Sequence, residues 1–144
     1  MRRETIVNNL LTRLSSINEA NGYDWEPKVF EWLASPLGQE ELPAIIVKDA
    51  EDNIDSEKVS WSSEHHLKVE ILLFVKEGEQ TPKALRKKMQ DILQVIGKGP
   101  EVGEDLGDYI SFDGNEMLIE QQHEIEGGAK IEITITYNTE KWGI

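Results

Sequence analysis

The chain has 144 residues, no cysteine and a net charge of −13, with 28 acidic against 15 basic side chains. This length predicts one domain spanning 1–144 with its own core, and the lack of thiols excludes disulfides and cysteine-based metal sites. So acidic a chain repels a phosphate backbone, which argues against general nucleic-acid binding. No apolar stretch approaches the roughly 18 residues of a membrane span, and no secretory signal pattern opens the chain. We therefore expect a protein of a reducing cytosol with no membrane partner.

The first third of the chain predicts a helix followed by a less regular segment. Residues 3–19 carry apolar side chains at helical spacing, and Asn21-Gly22 then offers a stop because both residues tolerate a left-handed backbone. Residues 29–33 lie between Pro27 and a turn at 35–38. They are interpreted as a short strand or, equally, as an ordered loop.

Two strands are predicted next, separated by an acidic loop. Ala44–Lys48 is the first, residues 49–57 form the loop, and a long strand runs from about residue 59 to 76. The second half of the long strand is apolar on both sides. This pattern favours a strand that enters the core or passes beneath a helix.

The last part of the chain predicts a helix, a loop and a hairpin. Thr81 is expected as N-cap of a helix that reaches Ile96, and the glycine-rich residues 97–107 are expected to form a loop. Alternating apolar side chains over 117–125 and 131–137 predict two strands, joined by a tight turn at Gly127-Gly128.

The element order α-(β)-β-β-α-β-β predicts an α+β fold. We expect a mainly antiparallel sheet of about four to five strands, with two helices packed on one face.

The search for chemistry argues against an enzyme. The chain has no cysteine and no Gly-x-Ser-x-Gly elbow, and His65 and His66 are neighbours whose side chains point to opposite faces of a strand. His123 approaches one of them only if its strand pairs with the long one. Residues 49–60 lack the glycine and the final glutamate of an EF-hand, and residues 97–103 follow a helix rather than a strand, unlike a phosphate loop. We expect no catalytic residue, no cofactor and no metal site.

Two groups of charged side chains and two tryptophans are the candidate subunit interface. A basic helix face and an acidic loop can pair between copies, and tryptophan is enriched at interfaces. Ordinary solvation of the charges and packing of the indoles at the rim of the core are the simpler alternatives. The candidates are Asp49, Glu51, Asp52, Asp55, Lys83, Arg86, Lys87, Trp61 and Trp142.

The layout of the chain resembles the tail terminator and tail completion proteins of long-tailed bacteriophages, including those encoded by prophages. The resemblance lies in the N-terminal helix Arg3–Ile17, the Glu41–Val47 run Glu-Leu-Pro-Ala-Ile-Ile-Val before an acidic turn, the strand Leu67–Val75, the helix Pro82–Ile96 and a last strand such as Ile131–Tyr137. The glycine-rich 97–107 loop and the double glycine are departures from it.

The resemblance implies a structural protein of the virion that forms a hexameric ring. Such a ring caps the tail tube, stops its polymerisation and offers a surface for the head-joining protein, while DNA only passes through the bore. It implies a location in the bacterial cytoplasm during assembly and in the virion tail afterwards. Two other classes stay open: an acidic immunity-like or antitoxin-like domain that binds a basic protein, and a small hydrolase or ligand-binding domain with a deep pocket.

Overall fold

The computed structural model of the protein describes residues 1–32, 41–55, 61–76, 81–121 and 125–140, except for the side chains of 119–121 and 125–126. Its elements are α1 (Arg2–Leu14), a short 3-10 helix (Glu19–Asn21), β1 (Lys28–Glu31), β2 (Ala44–Asp55), β3 (Ser62–Val75), α2 (Thr81–Gly97), β4 (Tyr109–Gln121) and β5 (Ile125–Glu140).

The five strands form one sheet in the order β1-β2-β3-β5-β4. The three long pairings are antiparallel, and only the short β1 runs parallel to its neighbour β2. The predicted α+β fold with a mainly antiparallel sheet is confirmed. Of the stretch 29–33, interpreted as a strand or a loop, residues 29–31 belong to β1.

The core lies between the two helices and one face of the sheet. Odd-numbered residues of β3 and β5 point to this face, and both helices turn their apolar stripes towards it. Fully buried members include Ile6, Leu10, Leu67, Ile71, Leu85, Ile92 and Ile131. The other face, called the open face below, carries the even-numbered residues of β3 and β5.

The end of β3 is apolar on both sides for a reason other than the one expected. On the open face, Leu72 and Phe74 pair with Ile46 and Ala44 of β2. These β2 residues are buried but do not belong to the core beneath the helices. A small second apolar group therefore lies on the face opposite to both described helices.

The first helix is shorter than the sequence predicts. It ends at Leu14, and Ile17 is buried from a position outside the helix. The Asn18 side chain then accepts a hydrogen bond from the Asn21 backbone and starts the 3-10 helix, which Gly22 ends at φ 90°. The predicted helix end at Asn21-Gly22 is therefore the end of the 3-10 helix and not the end of α1. Thr81, predicted as an N-cap, is the first residue of α2.

The prediction of an acidic loop at 49–57 is wrong for the described residues. Strand β2 continues to Asp55 and pairs with β3 as far as Glu64. Lys68 is the cross-strand neighbour of Glu51, and His65 Nδ1 lies 3.0 Å from an Asp52 oxygen. Ladder bonding and these side-chain contacts compensate for the poor strand propensity of the acidic residues. Glu57 lies outside the described residues.

The predicted turn at Gly127-Gly128 is also wrong. Both glycines lie inside β5, with Val75 and Phe74 on one side and Ile119 and Leu118 on the other. A Cβ at residue 127 would collide with the side chains of Thr81 and Leu85, so this glycine lets α2 begin close to the strand. Residues 122–124, between β4 and β5 in the chain, lie outside the described residues.

Candidate functional site

A buried polar cluster occupies the end of the sheet where β2, β3 and β5 meet. His65, which is fully buried, lies with Nδ1 3.0 Å from Asp52 Oδ2 and Nε2 2.8 Å from Thr139 Oγ1. Tyr137 donates its hydroxyl to the same Asp52 oxygen at 2.8 Å and stacks on the imidazole at 4.5 Å between ring centroids. Burial and this bond to a carboxylate raise the pKa of Tyr137 above its ordinary value.

A hydroxyl, an imidazole and a carboxylate in contact one after another also form the arrangement that activates nucleophiles in enzymes. Here His65 has no exposed surface, so a substrate cannot contact its ring. The carboxylate of Asp52 is shared with Tyr137 rather than dedicated to the histidine. The geometry supports a structural role that links three strands, as expected for a satisfied histidine. His66 is partly exposed on the open face, where Nε2 lies 3.0 Å from a Glu64 oxygen, and His123 lies outside the described residues.

Two of the predicted interface residues, Asp49 and Asp52, are engaged within the molecule. Arg3 of α1 binds Asp49 Oδ2 at 2.8 Å, and the Trp32 indole donates to the other oxygen at 2.9 Å. Partial burial alone would raise the pKa of Asp49, but the hydrogen bonds from Trp32 and Arg3 outweigh it and hold the pKa below its usual value. Asp52 belongs to the buried cluster. These two carboxylates therefore tie the end of β2 to α1, β3 and β5, and the expectation that they form a free acidic surface is wrong.

The other acidic candidates remain on the surface. Glu51 is exposed and lies 3.6 Å from the Lys68 ammonium, and Asp55 is exposed at the end of β2.

The basic candidates lie together on the outer face of α2. Lys83, Arg86 and Lys87 are all exposed, at spacings that place them along one side of the helix. Lys87 binds Asp24 at 3.1 Å and also approaches Asp91, which raises the pKa of Lys87 and lowers that of Asp24. No acidic side chain of the described segments forms an ion pair with Lys83 or Arg86.

The tryptophans divide between core and surface. Trp25 is buried and donates to Asp91 at 2.9 Å, whereas Trp61 is 92% exposed just before β3. Trp32 is 49% exposed in a left-handed backbone conformation, held by Asp49 and by Lys48 over its ring. Trp61 keeps its place among the interface candidates, and Trp142 lies outside the described residues.

The outer edge of the sheet was not recognised from the sequence. Strand β4 pairs only with β5 among the described strands, and its first half, from Tyr109, was not predicted. Tyr109, Phe112 and Leu118 are each at least half exposed along it. The alternation Tyr109-Ile110-Ser111-Phe112 was the available signal, but the bulge at Asp113 interrupts it.

An acidic concavity lies on the open face beside this edge. Strands β2 and β4 each carry a bulge, after Asp49 and after Phe112, at the same level of the sheet. The concavity holds about 390 Å³, and its charged lining consists of Glu51, Glu70, Asp113, Glu132 and one cation, Lys68.

Comparison with known proteins decides nothing about the family. Neither the protein-family models nor the curated proteins contain a match to this chain.

Within the described segments, no helix has the length and apolarity to cross a membrane. No group of three histidine, aspartate or glutamate side chains in those segments is placed to hold a metal ion.

Proposed function

We propose that this protein is a structural subunit of a phage tail that assembles into a ring, caps the tail tube and ends its polymerisation. The chain layout that resembles tail terminators supports this proposal, and one structural observation carries it: the apolar outer edge of β4, which no other described strand covers. The partners are further copies of the chain, the tube protein and a head-side joining protein.

The β4 edge has the properties of an assembly surface. It is 13 residues long, and a free edge presents a row of backbone donors and acceptors to any approaching strand. Large apolar side chains are exposed on both sides of it, since Tyr109 and Leu118 belong to the open face and Phe112 to the opposite one. Monomeric proteins usually protect such edges, so this one favours contact with another protein.

The charge of the molecule fits a ring through which DNA passes. With −13 on each subunit, a bore lined by carboxylates would repel the phosphate backbone and let the DNA slide without binding. Ring formation takes place in the host cytoplasm, and the finished ring stays in the virion tail.

Assembly is tested by sedimentation velocity and negative-stain imaging of the purified chain at rising concentration, with and without magnesium. We expect rings to appear with concentration. Leu118→Lys should raise the concentration at which they form by about tenfold, because it places a charge in an apolar contact. Val102→Lys is the matched control, since Val102 is fully exposed in the loop before β4.

Function is then tested by adding the rings to polymerising tail tube protein, where we expect shorter tubes. A chain that stays monomeric at all concentrations and leaves tube growth unchanged would overturn the proposal. If that monomer bound a basic protein, the acidic inhibitor class would be the better description.

A further inference from the structure

We infer that the acidic concavity on the open face receives the basic face of α2 from the next copy of this chain. This inference rests on the proposed assembly into rings and names the two surfaces that meet. The acidic half of the contact is thus the concavity and not Asp49 and Asp52. Those two carboxylates bind Arg3 and His65 inside the molecule.

The concavity, called the acceptor surface below, carries more negative than positive charge among the described side chains that line it. Glu70 and Glu132 are direct cross-strand neighbours on the open face, a placement of like charges that destabilises a sheet. Lys130 binds Glu132 at 3.1 Å, and Lys68 lies near Glu51, but Asp113 adds a further carboxylate. Four acids and one lysine therefore line a depression in which a cationic side chain would be stabilised.

The basic face of α2, with Lys83 and Arg86, is called the donor surface and has a charge opposite to that of the concavity. Lys83 and Arg86 project from one side of α2, and no described acidic side chain of the same molecule pairs with them. In a chain of net charge −13, this helix face is a local patch of opposite sign. Unlike patches of this kind set the orientation of two partners and penalise the contacts in which like charges would meet.

The two surfaces lie on opposite sides of the domain. The helices cover one face of the sheet and present Lys83 and Arg86 outwards, while the concavity is on the other face. A contact between them is therefore heterologous, and repeated head-to-tail contacts close into a ring when the rotation per copy allows it. Asp113 belongs to both the concavity and β4, so the same neighbour can contact the apolar edge.

Charge reversal tests this contact with two variants of the full chain. The donor variant carries Lys83→Glu and Arg86→Glu, and the acceptor variant carries Glu70→Lys and Glu132→Lys. We expect the midpoint concentration of assembly to rise at least about tenfold for each variant alone, because like charges then face each other.

Mixing the two variants provides the decisive result. Each reversal shifts the net charge of −13 by four, to −17 and −9, so an equimolar mixture has the wild-type mean. In the mixture every donor finds an oppositely charged acceptor on the other variant, and we expect alternating rings at a concentration near that of the wild type. The urea midpoint of each variant checks that the fold is retained.

The outcomes separate the two proposals. A wild-type chain that never assembles overturns both the proposed function and this contact. Wild-type rings that persist in both variants, or a mixture that stays dissociated, overturn the contact alone. Acceptor reversal that abolishes tube-protein binding while rings persist also overturns it, because the concavity would then serve a different chain.

Discussion

Arg13 of α1 is a buried charged residue whose side chain binds the C-terminal end of α2. The side chain is only 7% exposed, and its guanidinium donates to the carbonyls of Val95, Ile96 and Gly99 and to the Glu104 carboxylate. The last carbonyls of a helix have no partner within it and carry partial negative charge. Arg13 of α1 thus serves as a C-cap for α2 and binds the following loop.

Replacing Arg13 with methionine should reduce the free energy of unfolding by about 3 kcal/mol. The variant keeps the apolar stem but leaves buried carbonyls and a carboxylate without their donor. Urea unfolding at pH 7 measures the loss. Glu104→Gln is the control: it removes one charge but keeps the carbonyl contacts, so it should cost much less. A loss below about 1 kcal/mol in Arg13→Met would contradict this role.

Arg2, at the N-terminal end of α1, binds the loop that follows α2. Its guanidinium binds Asp105 at 2.9 Å and Asp108 at 2.8 Å, and it donates to the Asn138 carbonyl at 2.7 Å. The pKa of each aspartate lies below its ordinary value, mainly because Arg2 donates hydrogen bonds to the carboxylate.

The pH dependence of stability should reveal this clamp. A carboxylate with a lowered folded-state pKa stabilises the fold fully above its unfolded pKa of about 3.9, and loses the contribution as pH falls through the folded value. Arg2→Gln should therefore cost about 1 kcal/mol at pH 7, a modest value because the groups are partly exposed. The difference between wild type and variant in urea midpoint should shrink between pH 5 and pH 3. Lys98→Gln is the control, and a difference that grows in acid would refute the assignment.

At the scale of elements, the position of Gly127 shows where local sequence signals fail. A double glycine between two alternating apolar runs is a strong turn signal. The structure instead uses Gly127 for a close approach between β5 and the start of α2, where Thr81 and Leu85 fill the space of a Cβ. Only the packing of two distant elements decides between these uses, and a single sequence does not display that packing.

Alanine at Gly127 should destabilise the protein by about 1–3 kcal/mol, because an added methyl group overpacks a buried contact. Gly128→Ala is a matched control in the same strand, since its nearest neighbour, a Phe74 ring carbon, is 3.4 Å from the added Cβ. Thermal unfolding of the two variants separates packing from the general cost of changing a strand glycine. Equal effects at both positions would show that the contact with α2 does not matter.

The elements that the sequence predicted correctly are those whose pattern reflects burial on one face. Both helices and the alternating runs of β3 and β5 belong to this group, although α1 ends earlier and β5 begins earlier than the sequence predicts. The acidic half of β2 was missed because its partners are distant in sequence: Arg3 and Lys68 pair with its carboxylates, and His65 lies 3.0 Å from Asp52. For the same reason Asp49 and Asp52 were assigned to a surface: composition shows a carboxylate but not the partner that neutralises it.

At the scale of the whole molecule, two electrostatic effects of different range act on assembly. Copies carrying −13 repel each other over distances set by the Debye length, which is about 30 Å at 0.01 M salt and about 8 Å at 0.15 M. The proposed contact between α2 and the concavity is attractive but acts only at the distance of an ion pair. As the salt concentration rises, the long-range repulsion is therefore screened before the short-range attraction.

Assembly of the wild type should therefore be strongest at intermediate salt. Raising sodium chloride from 0.01 to about 0.15 M should lower the midpoint concentration, because repulsion between approaching copies is screened. Raising it further to about 1 M, where the Debye length is about 3 Å, should raise the midpoint again as the ion pairs weaken. Sedimentation velocity across this range measures the curve, and the Lys83→Glu, Arg86→Glu variant should show only the first phase. A wild-type midpoint that keeps falling up to 1 M salt would mean that the β4 edge holds the copies together without the charged contact.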